Sequence, residues 1–284
     1  GKDAKLIYDV RMENTYSSNR PQIVKIPSSN RDPLKPQKIA VPVEVNKREL
    51  RNPFVIPGLQ KVKIESQLNA NYNFKNFVEG DSNRLARSAG MAVANKPGGT
   101  SFNPLLIYGG VGLGKTHLAH AIGVDIKDKY PDKTVLYISS EKFTQQFIDS
   151  VKSNTRNDFI HFYQMVDVLL IDDVQFLSGK AGTQDVFFHI FNHLHQNGKQ
   201  VILTSDKAPV DMQDIEQRLL SRFKWGLSAE LQLPDFETRI SILQNKLFRD
   251  GVEMPEEIVE YIAKNIKSNV RELEGVIISM IAQA

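Results

Sequence analysis

The chain has 284 residues, 41% apolar and 24% charged, which suits one or two globular domains and excludes a disordered or collagen-like chain. Without a single cysteine, disulfide frameworks, thiolate zinc sites, thiol nucleophiles and iron–sulfur clusters are excluded. Net charge is +3, but residues 1–65 carry 13 Lys and Arg against 7 Asp and Glu while the remainder carries 23 against 26, so bulk charge gives no argument that the main body binds nucleic acid.

No apolar run approaches the ~18 residues needed to span a bilayer, and no basic-then-apolar leader opens the sequence, so a cytoplasmic protein is expected. Seven of the 13 prolines precede residue 66, and residues 15–50 show neither a helical nor an alternating period. Such a stretch buries too little apolar surface to offset chain entropy, which predicts an extended basic linker over 1–65. Within it, residues 4–12 roughly alternate and predict one strand. A lone strand is unstable, so it is expected to be the end of a domain lying upstream.

From about residue 68, apolar runs of strand length at 104–108, 134–139, 166–171 and 200–204 alternate with helical stretches. That alternation predicts an α/β domain over 66–233, a parallel sheet flanked by helices. After Pro234 only helical periods remain, at 236–249, 255–266 and 270–284, predicting a small all-helical domain over 234–284. The last helix meets the end of the sequence without a cap, so this domain is expected to be truncated.

The segment Gly109-Gly110-Val111-Gly112-Leu113-Gly114-Lys115-Thr116 follows the first apolar run and opens the helical pattern 116–126. It matches the phosphate loop G-x-x-x-x-G-K-[ST], whose backbone N–H groups and helix N-terminus wrap phosphates. Lys115 is placed on the outer phosphates and the Thr116 hydroxyl on Mg²⁺. A dinucleotide fingerprint fails, because its third glycine would fall at Lys115. The run 166–173 then supplies a strand buried on both faces with two acids at its carboxyl end. Asp172 is assigned to Mg²⁺ and Asp173 to orienting the attacking water.

Metabolite kinases share both features, so the class rests on other residues. The run 200–206 ends in polar groups suited to a position near the γ-phosphate. Residues 211–223 predict a helix with Arg218 and Arg222 four apart on one face, a like-charge pair tolerable in solvent and advantageous beside a neighbour's nucleotide. Asn269 and Glu272 predict an N-cap with a capping-box partner, placing Arg271 in the first turn, where the helix dipole disfavours a cation by about 0.3–1 kcal/mol. Either a phosphate shares that site or Arg271 pairs with Glu272 or Glu274. On a helix at 186–197, His189 and His193 stand four apart, but Ile190 occupies the place where a zinc protease needs Glu. With His195 they are read as surface or packing residues.

Taken together these residues resemble the AAA+ module of the DnaA family of bacterial chromosomal replication initiators, over residues 66–284. The matching segments are Asn73-Phe74-Lys75-Asn76-Phe77-Val78-Glu79-Gly80, the phosphate loop with His117, Leu170-Ile171-Asp172-Asp173-Val174-Gln175-Phe176, Leu203-Thr204-Ser205-Asp206, Arg218-Leu219-Leu220-Ser221-Arg222-Phe223 and Ser268-Asn269-Val270-Arg271-Glu272-Leu273-Glu274-Gly275. The resemblance implies a P-loop AAA+ sheet with a helical lid, and ATP or ADP with Mg²⁺ as cofactors. Phe77 and Val78 would line the adenine pocket, with Gly110, Gly112, Gly114, Lys115, Thr116 and His117 around the nucleotide. Thr116 and Asp172 would hold the metal. Asp206 would be the first sensor and Arg271 the second, Arg222 an arginine finger reading ATP on the next subunit, and Arg218 its support at that interface.

The family it resembles assembles an ATP-bound filament of itself on origin DNA, melts the duplex, holds single-stranded DNA, recruits the replicative helicase and contacts acidic phospholipids. Slow hydrolysis switches it off. DNA contact would come from a helical pair matching 141–151 and 154–163 and from the segment after Phe176, with Thr144 and Lys180 as the contact residues. Here the sequence departs from the family pattern. Gly182 stands where relatives often carry a basic residue, and Thr144 where some carry an aliphatic one, which predicts weaker and less salt-sensitive single-strand binding. A duplex-reading helix-turn-helix domain would follow the lid, beyond residue 284. A helicase loader or initiator-regulating paralogue and a P-loop metabolite kinase stay open as alternatives at this point.

Overall fold

The computed structural model describes residues 64–282 and, before them, strands β1 (Asp9–Met12) and β2 (Gln22–Lys25). The chain divides into two compact units, Gly1–Val62 and Lys63–Ala284. In the first, β1 and β2 pair antiparallel with Val10 opposite Val24. β1 falls inside the stretch expected to be a strand, and β2 inside the stretch read as linker. The remainder of that linker lies outside the described residues.

In the second unit, α1 (Arg84–Asn95), β3 (Leu105–Gly109), α2 (Lys115–Lys129), β4 (Val135–Ser139), α3 (Ser140–Lys152), α4 (Arg156–Gln164), β5 (Val168–Asp172), α5 (Ala181–Gln196), β6 (Gln200–Ser205), α6 (Gln217–Phe223) and β7 (Leu227–Leu231) follow one another. The strands form a parallel sheet in the order β4-β5-β6-β3-β7. Side chains alternate between faces along each strand, which divides every apolar run between two cores. Leu106, Leu136, Leu169, Ile171, Val201 and Leu203 pack with Phe143, Tyr163, Phe187 and Phe191 from α3, α4 and α5. Leu105, Ile107, Val135, Val168, Leu170 and Ile202 pack with Ala86, Ala89 and Val93 of α1 and Leu118 and Ile122 of α2. Small residues let α1 and α2 approach closely: a Cβ added at Gly90 would stand 2.9 Å from Ile122 Cδ1.

Helix α6 is shorter than the 211–223 expected. Asp214 takes a left-handed backbone, φ +55°. Its carbonyl accepts from Gly179 N at 3.0 Å and Gln184 Nε2 at 2.8 Å, while Glu216 N donates to Gln184 Oε1 at 2.8 Å. These backbone groups are committed to the start of α5 and cannot join a helix. The edge strand β7 and helix α1 lie in stretches for which no element was predicted.

The lid consists of α7 (Phe236–Asp250), α8 (Glu256–Asn265) and α9 (Val270–Ile281) around Leu243, Leu247, Val259, Ile262, Leu273 and Ile277. Asp235 caps α7 by accepting from Thr238 N at 2.7 Å, and Gly251 ends it at φ +67°. Buried Arg239 ties the lid to its hinge, donating from Nε to Ala263 O at 2.8 Å and from Nη1 to Pro234 O at 2.7 Å. Among the described residues no helix is long and apolar enough to cross a membrane. Arg239→Met keeps the aliphatic stem but strands both carbonyls, and is expected to destabilise the chain by about 2–3 kcal/mol. Denaturant unfolding checks this; an unchanged midpoint would show that neither bond contributes.

Candidate active site

The sheet order reverses at β3, flanked by β6 and β7, and ligands of such sheets sit beyond the carboxyl ends of the strands at that point. The phosphate loop leaves β3 there. Gly109, Gly112 and Gly114 have φ of +147°, +76° and +96°, and a Cβ at Gly109 would meet Leu231 O at 2.2 Å. Only glycine fits these positions without strain. Gly114 also stands at the N-cap of α2, with no side chain to cap it, so the first-turn N–H groups of the helix are left to an occupant of the loop.

The structure brings five of the expected site residues into one connected set. Buried Lys115 donates from Nζ to Gly109 O at 2.9 Å, Gly110 O at 2.7 Å and Asp206 Oδ1 at 2.7 Å, using all three of its N–H groups. Asp172, 5% exposed, accepts from Thr116 Oγ1 at 2.8 Å, Tyr137 OH at 2.7 Å and Thr204 Oγ1. Asp173 follows in a left-handed conformation, φ +58°, its N–H donating to Thr204 Oγ1 at 2.9 Å. Burial pushes the Asp173 carboxyl above the usual carboxylate range, and the neighbouring charge of Asp172 adds to this.

Sequence reasoning gave no role to Tyr137, Thr204 or Gln175, which belong to this set, or to His120, whose ring packs on that of Tyr137 with centroids 3.9 Å apart. Gln175 accepts from Asp206 N at 3.2 Å and donates to Asp206 Oδ2 at 3.1 Å and Asp173 Oδ1 at 3.2 Å, so one amide spans both acids. Thr204 and Gln175 stand beside recognised acids in the chain, which was a usable signal. Tyr137 and His120 carry none, because only the fold delivers them.

A pocket opens beside the loop, lined by Phe77, Val78, Leu113, Gly114 and His117 from the sheet domain and Ile242, Arg249 and Val270 from the lid. Phe77 packs edge-on to His117 at 5.3 Å. Backbone joins lid to loop: Val270 N donates to Gly112 O at 3.0 Å, and a Cβ at Gly112 would stand 2.8 Å from Asn269 Oδ1. Asn269 is the N-cap of α9, accepting from Glu272 N at 2.8 Å. Glu272 turns back to the Asn269 side-chain amide at 3.1 Å and to the Ser268 hydroxyl, rather than to the backbone N–H of a standard capping box. Arg271 therefore lies in the first turn of a helix whose start rests on the phosphate loop. It is exposed and has no ion pair with Glu272, Glu274 or any other described residue.

Arg218 and Arg222 lie apart from this set, on α6 against α5. Arg218 pairs with Glu216 at 2.5 Å and Asp185 at 2.9 Å. His189 and His193 are on α5, and His189 stands 3.6 Å from Asp185. Lys180 precedes the first turn of α5 and is partly exposed. Thr144 is buried on α3, and its hydroxyl donates to Ser140 O at 2.8 Å.

For Mg²⁺, Thr116 Oγ1 and Asp172 Oδ2 stand 2.8 Å apart and are the hard oxygens that this cation selects. Among the described residues no group of three or more acidic or histidine side chains is placed to hold a metal.

A β-strand, phosphate loop, buried acid and lid resting on the loop define a P-loop nucleoside triphosphatase of the AAA+ class. Residues 68–230 match the bacterial DnaA ATPase domain. The whole chain is 78% identical to the chromosomal replication initiator protein DnaA of Flavobacterium psychrophilum, covering 59% of that protein. Among solved structures it is similar to domain III of the Thermotoga maritima replication initiation protein DnaA, with 47% identity, a TM-score of 0.74, and 77% of this chain and 90% of that one covered. It is also similar to a DnaA bound to AMPPCP and single-stranded DNA, with 43% identity, a TM-score of 0.70, and 75% and 65% covered. The chain belongs to the bacterial DnaA family and spans about 59% of the length of the curated relatives it matches.

Burial lowers the pKa of both His117 and His120, and each pairs a ring nitrogen with backbone, Asn73 O at 3.1 Å and Asn69 N at 3.2 Å. Above the ordinary value of about 6.5 neither the folded nor the unfolded chain holds these protons, and the pair adds no pH dependence. Below it the unfolded chain takes up protons first, so stability falls until the lower folded-state values are passed. Melting temperature is expected to drop between about pH 7 and pH 5.5, with a shallower slope in the His117→Asn/His120→Asn variant. Parallel slopes for the two proteins would refute this assignment.

Proposed function

We propose that this chain is the ATP-switched assembly module of a replication initiator. It binds ATP with Mg²⁺, stacks with copies of itself on origin DNA, holds the melted single strand, and leaves the assembling state on slow hydrolysis. The observation that carries this reading is the seat of α9 on the phosphate loop, Val270 N to Gly112 O at 3.0 Å, with Arg271 in the turn that follows. A lid held to the loop by backbone moves with whatever the loop contains. That coupling suits a conformational switch.

In this reading adenine lies in the pocket of Phe77, Val78 and His117, and the phosphates enter the glycine loop. Lys115 exchanges its ion pair with Asp206 for the outer phosphates. Mg²⁺, bound with the nucleotide through Thr116 and Asp172, would neutralise charge developing on the phosphates. Asp173, with its raised pKa, orients the attacking water and accepts its proton. Asp206, steadied by Gln175, reads the outer phosphate as the first sensor, and Arg271 reads it from the lid as the second. Arg222 approaches the nucleotide of the next subunit, supported by Arg218. Single-stranded DNA would run along α3, α4 and the turn that carries Lys180.

Lys115→Ala removes the cation that offsets phosphate charge and is expected to abolish nucleotide binding; unchanged ATP affinity in an equilibrium titration would remove the site assignment. Arg222→Ala should bind ATP as the parent chain does yet fail to grow oligomers with ATP and a single-stranded oligonucleotide. Normal ATP-driven light scattering by that variant would refute the finger assignment.

A further inference from the structure

The two arginines of α6 stand one turn apart and differ in their counter-ions, although the Arg218 guanidinium also lies over the Phe188 ring, 4.7 Å from its centre. Arg218 is saturated with carboxylates, Glu216 and Asp185, and Asp185 is further shared with Arg156 at 3.5 Å. Arg222 has no carboxylate and no side-chain hydrogen bond among the described residues, and its Nε is buried without an acceptor. Two aromatic faces hold its guanidinium, with Trp225 centred 4.5 Å and Phe188 5.8 Å from the guanidinium carbon. The turn that ends α6 creates this contact, Trp225 N donating to Arg222 O at 3.2 Å. Trp225 is the one tryptophan of the sequence and remains 56% exposed. It stacks on His195 of α5, with ring centroids 4.4 Å apart and planes 25° from parallel.

We infer that Trp225 is the positioning residue for Arg222: packed on His195, it forms a plate that holds the guanidinium without a counter-ion, ready for a phosphate from a neighbouring molecule. This rests on the reading of Arg222 given above. The physical reason lies in exchange. A guanidinium held by carboxylates, as Arg218 is, must surrender them before it can meet a phosphate. An aromatic face attracts the cation through its quadrupole yet leaves the hydrogen-bonding edge free for bidentate contact. The same plate restricts the torsions of the side chain before docking, so less entropy is lost when the contact forms.

The test uses the whole 284-residue chain with ATP and a single-stranded oligonucleotide, comparing Trp225→Leu, Trp225→Tyr and Arg222→Ala with the parent. Trp225→Leu should keep ATP affinity and melting temperature but need about tenfold more protein for half-maximal assembly, the scale of one lost cation–π contact. Trp225→Tyr, which restores an aromatic face, should recover most of the loss. Assembly of Trp225→Leu at the parental concentration, or no rescue by tyrosine, would overturn the positioning role even where Arg222→Ala fails to assemble. Assembly by Arg222→Ala, or none by the parent chain, overturns instead the interface reading on which it rests. If Trp225→Leu does not fold, the parent's single indole decides: its emission should change on assembly with ATP and stay constant with ADP, and constancy under both would refute the inference.

Discussion

A carboxylate only 5% exposed can persist in a protein interior when its lone pairs are taken up, and at Asp172 three hydroxyls do this. Thr116 comes from α2, Tyr137 from β4 and Thr204 from β6, so one side chain at the end of β5 gathers the phosphate helix and the strands on either side of it. Thr204 makes a second contact, accepting from Asp173 N, which sets the second acid relative to the first. The site is therefore a consequence of the carboxyl edge of the sheet closing around a charge. A change at Thr204 or Tyr137 would act on the site through Asp172.

The cations divide by how they are held, and the division follows their work. Lys115 and Arg218 are each paired with carboxylate, whereas Arg222 and Arg271 have no carboxylate partner among the described residues. A paired cation resists a new anion until its partner is displaced, and the displaced partner then reports the event. For Lys115 that partner is Asp206, which Gln175 links to Asp173. Two hydrogen bonds of Gln175 thus connect the partner of Lys115 to the second acid of the site.

Much of this was legible because it is local. The glycine loop declares itself through residues whose backbone angles no other side chain tolerates, and the runs 104–108, 166–171 and 200–204 are apolar on both faces because the strands they form are buried on both. The Asn269 cap is likewise a short-range device. Strand β7 escaped notice although Ala229 and Leu231 alternate inward, because as an edge strand it lacks a continuous apolar run. Helix α6 was overextended because nothing between 211 and 216 reveals that its backbone is claimed by Gln184, 30 or more residues away.

By itself the sequence determined the class of chemistry, since a phosphate loop, an acid after a buried run and an N-capped lid helix are each written within a dozen consecutive residues, where backbone sterics and hydrogen-bond geometry decide the outcome. Tertiary structure alone decided which partners those groups keep: Tyr137 on Asp172, Gln175 between two acids, Trp225 beneath Arg222 with His195 behind it. Such pairings join segments that the chain order separates, and the free energy that selects them comes from burying whole faces of helix and sheet, which no short window of residues contains.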